Sequence, residues 1–115
     1  REVYYEALAI SPQNELALWN LALLLERSGE PVEAEQYYAR LAAVQPENAE
    51  AWFRLGFLRL GLEAWEGAVE SFARFVNLQP EAWEGTLNLG IAHQMNGNHS
   101  AAIACFEKIL ALRPD

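Results

Sequence analysis

The segment at residues 49–80 reads AEAWFRLGFLRLGLEAWEGAVESFARFVNLQP and contains the pattern on which the predicted fold depends. Its apolar residues recur every three or four positions in two segments, which predicts one helix over residues 49–60 and another over residues 65–78. A break is predicted around Gly61. Pro80 ends the second helix, because proline lacks the amide hydrogen and clashes with the preceding turn. This stretch therefore predicts a pair of helices joined by a short turn.

The same pattern occurs along the whole chain at a constant period. Four of the five prolines are evenly spaced: Pro12, Pro46, Pro80 and Pro114. The differences 46 − 12, 80 − 46 and 114 − 80 are each 34. A fixed period of this length is typical of a repeat array rather than of one globular core. The outer units predict four further helices, at residues 16–27, 32–44, 84–95 and 100–112.

We divide the chain into half a repeat followed by three whole repeats. Residues 1–14 match only the second helix of a unit, and the whole repeats are residues 15–48, 49–82 and 83–115. The first residue is not methionine, and neither end carries the polar capping helix that solenoids need for solubility. We therefore expect the chain to be a piece of a longer protein.

The middle unit resembles the tetratricopeptide repeat signature in its motif, Trp52-x-x-Leu55-Gly56, then Ala68-x-x-x-Phe72, then Pro80. The resemblance covers essentially the whole chain. It implies an all-α fold, an α-solenoid in which about seven helices form antiparallel pairs in a right-handed superhelix. One small residue on each helix of a pair lets the two axes approach closely: Ala22 with Ala34, Gly56 with Ala68, and Gly90 with Ala102. The aromatic residue one turn later is expected to fill the adjoining gap: Tyr38, Phe72 or Phe106.

The middle and third repeats depart from the family pattern at their turns and caps. Glu63 stands where the family has a turn glycine, so we expect that turn to differ locally. Asn14 and Asn48 occupy positions that suit a helix N-cap. The third repeat has Ala82 at that position, so its first helix is expected to begin less sharply.

The resemblance implies that the first helices line the concave side of the superhelix, and function has to be argued from that side. The predicted partner-binding groove consists of the inward residues Trp19, Asn20, Leu23, Arg27, Phe53, Arg54, Phe57, Leu60, Leu87, Asn88, Ile91 and Met95. Eight of them are large apolar residues, which a fully solvated surface would not carry. The alternative is that some of them pack between neighbouring first helices as core.

The polar residues of the predicted groove are expected to bind a partner through hydrogen bonds or charge. The resemblance implies that the amides of Asn20 and Asn88 hold the backbone of a bound peptide, since an amide both donates and accepts hydrogen bonds. Arg54 takes the equivalent place and could pair with a carboxylate. The alternative is that these are ordinary exposed residues. Members of the family that grip the terminal carboxylate of chaperones use an inward lysine, where this chain has Trp19, Phe53 and Leu87, so that activity is not expected.

Charge and reactive residues exclude several classes of function. Eight Lys and Arg against 16 Asp and Glu give a net charge of −8, which disfavours nucleic acid and anionic membrane surfaces as ligands. No apolar run approaches the length of a membrane span. His93 and His99 lack the spacing of a zinc pair on one helix, and Cys105 is the single cysteine. We predict no catalytic residue, no metal and no cofactor.

The leading prediction is a protein-interaction scaffold that binds a peptide or helix of a partner protein in an apolar groove. One alternative is the regulatory or substrate-recruiting array of a larger enzyme such as a glycosyltransferase. A second is self-association through the exposed ends of the array. A cytoplasmic location is favoured, although no motif determines the compartment.

Overall fold

The computed structural model describes residues 2–11 and 13–112. Within these residues there are seven helices and no strand: α1 (Glu2–Ile10), α2 (Glu15–Arg27), α3 (Pro31–Val44), α4 (Ala49–Gly61), α5 (Trp65–Leu78), α6 (Trp83–Met95) and α7 (His99–Leu112). Each helix packs against the next along the chain, and the molecule measures 48 × 24 × 21 Å. The predicted all-α solenoid is therefore confirmed, and α2 to α7 begin and end within a residue of their predicted bounds.

The starts of the first helices depend on their caps. The Asn14 side chain accepts a hydrogen bond from the Ala17 amide at 3.0 Å, and the Asn48 side chain accepts one from the Ala51 amide at 3.1 Å. Ala82 gives α6 no side-chain cap. Nevertheless α6 begins at residue 83, the equivalent of residue 49 (83 − 34). In place of a side-chain cap, the Gly85 amide donates to the Ala82 carbonyl at 3.0 Å, and the start of the helix does not move.

Small residues and aromatic rings pack together inside the repeats, as the sequence predicts. A Cβ atom added at Gly56 would lie 2.7 Å from the Phe72 ring, and one added at Gly90 would lie 2.7 Å from the Phe106 ring. Both distances are too short for a real contact. Tyr38 is fully buried in the first repeat. The glycines are therefore needed because the aromatic ring occupies the space that any side chain would take.

The turn in the middle repeat corrects one prediction. Gly29 and Gly97 have φ angles of 75° and 84°, in the left-handed region that glycine favours. Glu63 adopts the same conformation, with φ of 60°. The same backbone hydrogen bond closes all three turns, at 2.8–2.9 Å: Glu30 N to Leu25 O, Ala64 N to Arg59 O, and Asn98 N to His93 O. The expectation of a different turn is therefore wrong, because the packed helices impose one geometry whatever residue stands there.

Arg59 joins three helices on the side of the second helices. Its guanidinium donates hydrogen bonds to the Glu35 carboxylate at 3.0 Å, to the Ser71 hydroxyl at 2.9 Å and to the Gly67 carbonyl at 3.1 Å. Its side chain is only 16% exposed. Arg59 therefore has a structural role at a position where the family usually has tyrosine.

Candidate functional site

An aromatic cluster on α4 and α5 forms the centre of the candidate site. The Phe53 ring lies 4.8 Å from Phe75, 5.6 Å from Phe72 and 5.0 Å from Phe57, measured between ring centroids. Phe72 is fully buried, whereas Phe57 is 49% exposed. Phe53 is thus held by the core, and Phe57 presents an aromatic face to the solvent.

A cavity of about 560 Å³ opens between α4, α5 and α6, and we call it the α4–α6 cavity. Its lining combines an aromatic floor with small and acidic residues: Ala49, Glu50, Phe53, Phe75, Gln79, Ala82 and Glu84. Both glutamates are exposed. An apolar pocket with acidic residues on its rim suits an apolar group attached to a basic one.

A second cavity, of about 350 Å³, lies beside the first and is called the α2–α4 cavity. It is lined by Glu26, Glu50, Phe53, Arg54 and Phe57. Phe53 and Glu50 line both cavities. We refer to the two adjoining cavities together as the groove.

Hydrogen bonds and charges hold the wall of the α2–α4 cavity in place. The Tyr38 hydroxyl donates to the Glu26 carboxylate at 2.8 Å, and the Arg54 guanidinium donates to the same oxygen at 3.3 Å. Burial, together with the bond to Glu26, raises the pKa of Tyr38 well above its usual value, so this hydroxyl stays neutral and donates. Arg54 also lies 3.6 Å from Glu50 and 5.7 Å from the centre of the Trp19 ring. Its charge is therefore largely neutralised within the chain.

The structure brings three of the predicted groove residues, Phe53, Arg54 and Phe57, together at one cavity. Trp19 and Leu60 instead pack against the two buried core clusters. The other apolar members and Asn20 are half-buried on α2 and α6, apart from Met95, which is 51% exposed: Asn20, Leu23, Leu87, Ile91 and Met95.

Two polar residues of the predicted groove, Asn88 and Arg27, lie outside both cavities. The Asn88 amide donates to the Glu84 carbonyl of its own helix at 2.8 Å. Arg27 is exposed at the last residue of α2. Neither lines the groove.

Of the seven residues that line the α4–α6 cavity, the predicted groove contains only Phe53; the six outside it are Ala49, Glu50, Phe75, Gln79, Ala82 and Glu84. Two of them are alanines, which carry no obvious chemistry. The available signal was the alignment of the repeats, because Ala49 and Ala82 replace the polar Glu15 and Asn48 one period earlier. A small residue in place of a polar one is a sign of open space.

The described residues show no cluster of metal ligands, and their cysteine thiol, Cys105, is half-buried. No group of three His, Cys, Asp or Glu side chains among them could hold a metal ion. Burial raises the pKa of the Cys105 thiol, although the nearby Lys108 charge opposes this, so little thiolate is present at neutral pH. A search of the same residues for a helix with the length and apolar character of a membrane span found none.

Comparisons with known proteins identify the repeat. Models of the tetratricopeptide repeat family match residues 16–58 and residues 58–115. The heat-shock protein cognate (HSC) co-chaperone sgt12 of Aspergillus fumigatus is 32% identical over 71 residues. This alignment covers 62% of the chain but 21% of the relative. The chain therefore spans about a fifth of that relative's length.

Solved structures of MamA have the same fold. A crystal structure of MamA superposes with a TM-score of 0.83 at 23% identity, covering 96% of this chain and 65% of that one. MamA 41-end from Desulfovibrio magneticus RS-1 gives a TM-score of 0.81 at 24% identity, covering 98% of this chain and 64% of that one. The chain thus spans just under two thirds of these proteins, and at this identity the likeness shows the fold alone.

Proposed function

We propose that this chain, which belongs to the tetratricopeptide repeat family, is a protein-interaction scaffold that binds a peptide or helix of a partner in the groove. Repeats of this family are generally interaction modules rather than catalytic domains. The relative sgt12 is described as a co-chaperone, which is consistent with protein partners. Because Trp19, Phe53 and Leu87 stand where an inward lysine would be needed, the partner is not gripped by a terminal carboxylate.

The observation that carries the proposal is the exposed ring of Phe57. It is 49% exposed, yet it lies 6.0 Å from the buried ring of Phe72 and 5.0 Å from Phe53, which packs against the same core cluster. A large apolar side chain held rigidly beside an open cavity loses little conformational entropy when a partner covers it. Rigid, partly exposed aromatic residues of this kind are typical of the hot spots of protein interfaces.

The groove is large enough in energetic terms for specific binding. Burying one large apolar side chain contributes roughly 1.5–3 kcal/mol. Four such side chains contribute about 6–12 kcal/mol, from which the cost of association is subtracted. Micromolar affinity corresponds to about 8 kcal/mol. A segment with four apolar anchors therefore reaches micromolar affinity at the upper end of this range, where the cost of association is smallest, about 4 kcal/mol.

The test is selection of binding peptides followed by substitution in the groove. Peptides selected from a phage-displayed dodecapeptide library on the intact chain are titrated against three proteins: wild type, Phe57→Glu and Val32→Glu. Val32 lies on α3, is 59% exposed and lines neither cavity of the groove, so it is a matched control. We expect Phe57→Glu to weaken binding at least tenfold and Val32→Glu to leave it unchanged. Equal affinities for wild type and Phe57→Glu would exclude the groove as the binding surface.

Phe57 is preferable to Phe53 for this test. Phe53 contacts the core rings Phe72 and Phe75, so a charge there would destabilise the fold as well as the surface. Circular dichroism and thermal unfolding of Phe57→Glu confirm that the helices are retained.

A second candidate function, self-association through the ends of the array, is favoured by the exposed apolar side chains of α7. Leu110 is 64% exposed and Leu112 is 53% exposed. Uncovered apolar surface of this kind favours association with another molecule. Light scattering over a range of concentrations tests it: wild type should increase in mass with concentration and Leu110→Glu should not. A monomer at every concentration would exclude this candidate.

A further inference from the structure

Side-chain hydrogen bonds join α2, α3 and α4 at one end of the first repeat, and we call this group of bonds the clasp. The corresponding end of the second repeat contains the α4–α6 cavity. The Gln45 side chain donates a hydrogen bond to the Glu15 carboxylate at 2.7 Å and accepts one from the Asn48 amide at 2.9 Å. Glu15 is the first residue of α2, and Asn48 is the N-cap of α4. The clasp therefore bridges two successive first helices across the end of α3.

The second repeat retains the middle of this clasp but lacks both of its ends. One period of 34 residues takes Glu15 to Ala49 and Asn48 to Ala82 (15 + 34 and 48 + 34), while Gln45 becomes Gln79. All three of these second-repeat residues line the α4–α6 cavity. The Gln79 side chain is exposed, and within residues 2–11 and 13–112 its amide has no hydrogen bond recorded.

Opening this cavity has a cost in stability. Ala82 leaves α6 without the side-chain cap that Asn48 provides for α4. The second repeat therefore lacks both the helix cap and the clasp at this end. Positions where a protein gives up such stabilising local contacts are concentrated at functional sites. The departure creates open space above two aromatic rings, Phe53 and Phe75.

The floor and the rim of the cavity select different parts of a ligand. Its aromatic floor favours an aliphatic or aromatic side chain, and its volume of about 560 Å³ accepts one with room for the adjoining backbone. Glu84 is exposed on the rim, and no ion pair of its carboxylate is recorded within the described part of the chain. Glu50, the other rim carboxylate, lies 3.6 Å from Arg54, which is also bonded to Glu26. The rim therefore carries a net negative charge, offset at Glu84 only by the N-terminal end of the α6 dipole, in a chain with a net charge of −8.

We propose that the α4–α6 cavity binds a partner peptide in which a large apolar side chain is adjacent to lysine or arginine. The apolar side chain rests on Phe53 and Phe75, and the basic group pairs with Glu84. The free amide of Gln79 donates to and accepts from the peptide backbone. This inference rests on the proposed function and specifies which part of the groove selects the partner and by what chemistry.

The first probe is a synthetic array of nonapeptides, Gly-Ser-Gly-X-Z-X-Gly-Ser-Gly. Position Z is Leu, Phe, Trp or Ala, and position X is Lys, Glu or Ser. We expect the strongest binding when Z is large and apolar and X is Lys, with weaker binding as salt is raised, because screening acts on exposed charge pairs. Equal binding of peptides with Z as Ala, or of peptides with X as Glu, would overturn the inference.

The decisive variant rebuilds the clasp in the second repeat. The double substitution Ala49→Glu with Ala82→Asn supplies both missing partners of Gln79 and a cap for α6. Its melting temperature should therefore rise, so that loss of binding cannot be attributed to unfolding. We expect this variant to bind the best array peptide at least tenfold more weakly than wild type. Unchanged affinity would overturn the inference.

The charge of the rim is tested separately. Glu84→Gln removes the carboxylate while retaining its size, and Glu107→Gln on α7 is the control, since Glu107 is also exposed and lies outside the groove. We expect Glu84→Gln to weaken binding of the Lys-containing peptides about 1.5- to 5-fold. Peptides with X as Ser should bind both variants equally. Equal affinity of the Lys-containing peptides for Glu84→Gln and wild type would overturn the assignment of the basic group to Glu84.

Failure of this inference can be distinguished from failure of the proposed function. If library-selected peptides lose affinity for Phe57→Glu but not for the clasp variant, the groove binds a partner elsewhere than in the α4–α6 cavity, and only the inference fails. If they lose affinity for neither, both fail.

Discussion

Glu63 carries backbone strain that its counterparts in the other repeats avoid. A residue with a side chain in the left-handed region costs about 1–2 kcal/mol relative to the right-handed one, and glycine avoids that cost. We predict that Glu63→Gly raises the free energy of unfolding by about 1 kcal/mol. Urea denaturation followed by circular dichroism measures it.

The reverse change at an equivalent turn is the control for Glu63→Gly. Gly97 has φ of 84°, and a Cβ atom added there would have no neighbour within 4 Å. Gly97→Ala should therefore lower the free energy of unfolding by about 1 kcal/mol through the backbone alone. Destabilisation by Glu63→Gly would show that the glutamate side chain contributes more than its backbone costs.

Among the first helices of the three repeats, α2, α4 and α6, only α6 begins without a side-chain cap. Ala82 provides no cap, whereas Asn48 accepts from the Ala51 amide one repeat earlier. We predict that Ala82→Asn increases the free energy of unfolding by about 1 kcal/mol. Ala82→Gly, which lacks a capping oxygen, is the comparison in the same urea experiment and should give the smaller gain. Equal stabilities of the two variants would contradict a capping effect.

Packing between α5 and α6 depends on Gly85. A Cβ atom there would collide with the Phe75 ring. We predict that Gly85→Ala lowers the free energy of unfolding by about 1–3 kcal/mol, because overpacking forces the ring or the helix to shift. Thermal and urea unfolding measure the change.

Two further variants show whether the collision is the cause. Gly61→Ala lies in a helix with no atom within 4 Å of the added carbon, so it should stabilise the protein by up to about 1 kcal/mol. Phe75→Leu combined with Gly85→Ala should recover part of the lost stability. If the double variant were no more stable than Gly85→Ala, steric overlap with Phe75 could not be the reason.

Across the whole molecule, stability is a series of local interfaces rather than one core. The helix α2 buries five of its 13 residues, whereas α7 buries one of its 14, Ala102. One buried cluster extends from α1 to α4, and a smaller one includes Phe72 and Ala92. The helices in the interior of the array should therefore unfold last.

We predict that native-state hydrogen exchange follows this distribution. Amides of the two end helices, α1 and α7, which bury one residue each, should exchange fastest by local opening, and those of α2 and α3 slowest. Exchange measured by mass spectrometry at increasing urea concentrations separates local from global opening. Identical protection of α2 and α7 at all urea concentrations would mean that the array unfolds as a single unit.

The fold was largely predictable from sequence, but the site was predictable only in part. Helix bounds depend on periodicity and on caps such as Asn14, which are properties of neighbouring residues. The turn at Glu63 was not predictable, because helix packing overrides the preference of the residue. The α4–α6 cavity depends on what is missing at Ala49 and Ala82, and the missing contact joins residues 30 positions apart in the first repeat.

Period and side-chain size act within one unit, so the order of the amino acids already specifies the repeat, its pairs of helices and the matching of small residues to aromatic rings. Which inward residues a partner can reach depends instead on how the helices stack. Phe57 is open, Phe53 is held by α5, and Arg54 is bonded to Glu26 on another helix. The physical reason is that access depends on side chains far apart in the chain, which meet only when the helices stack.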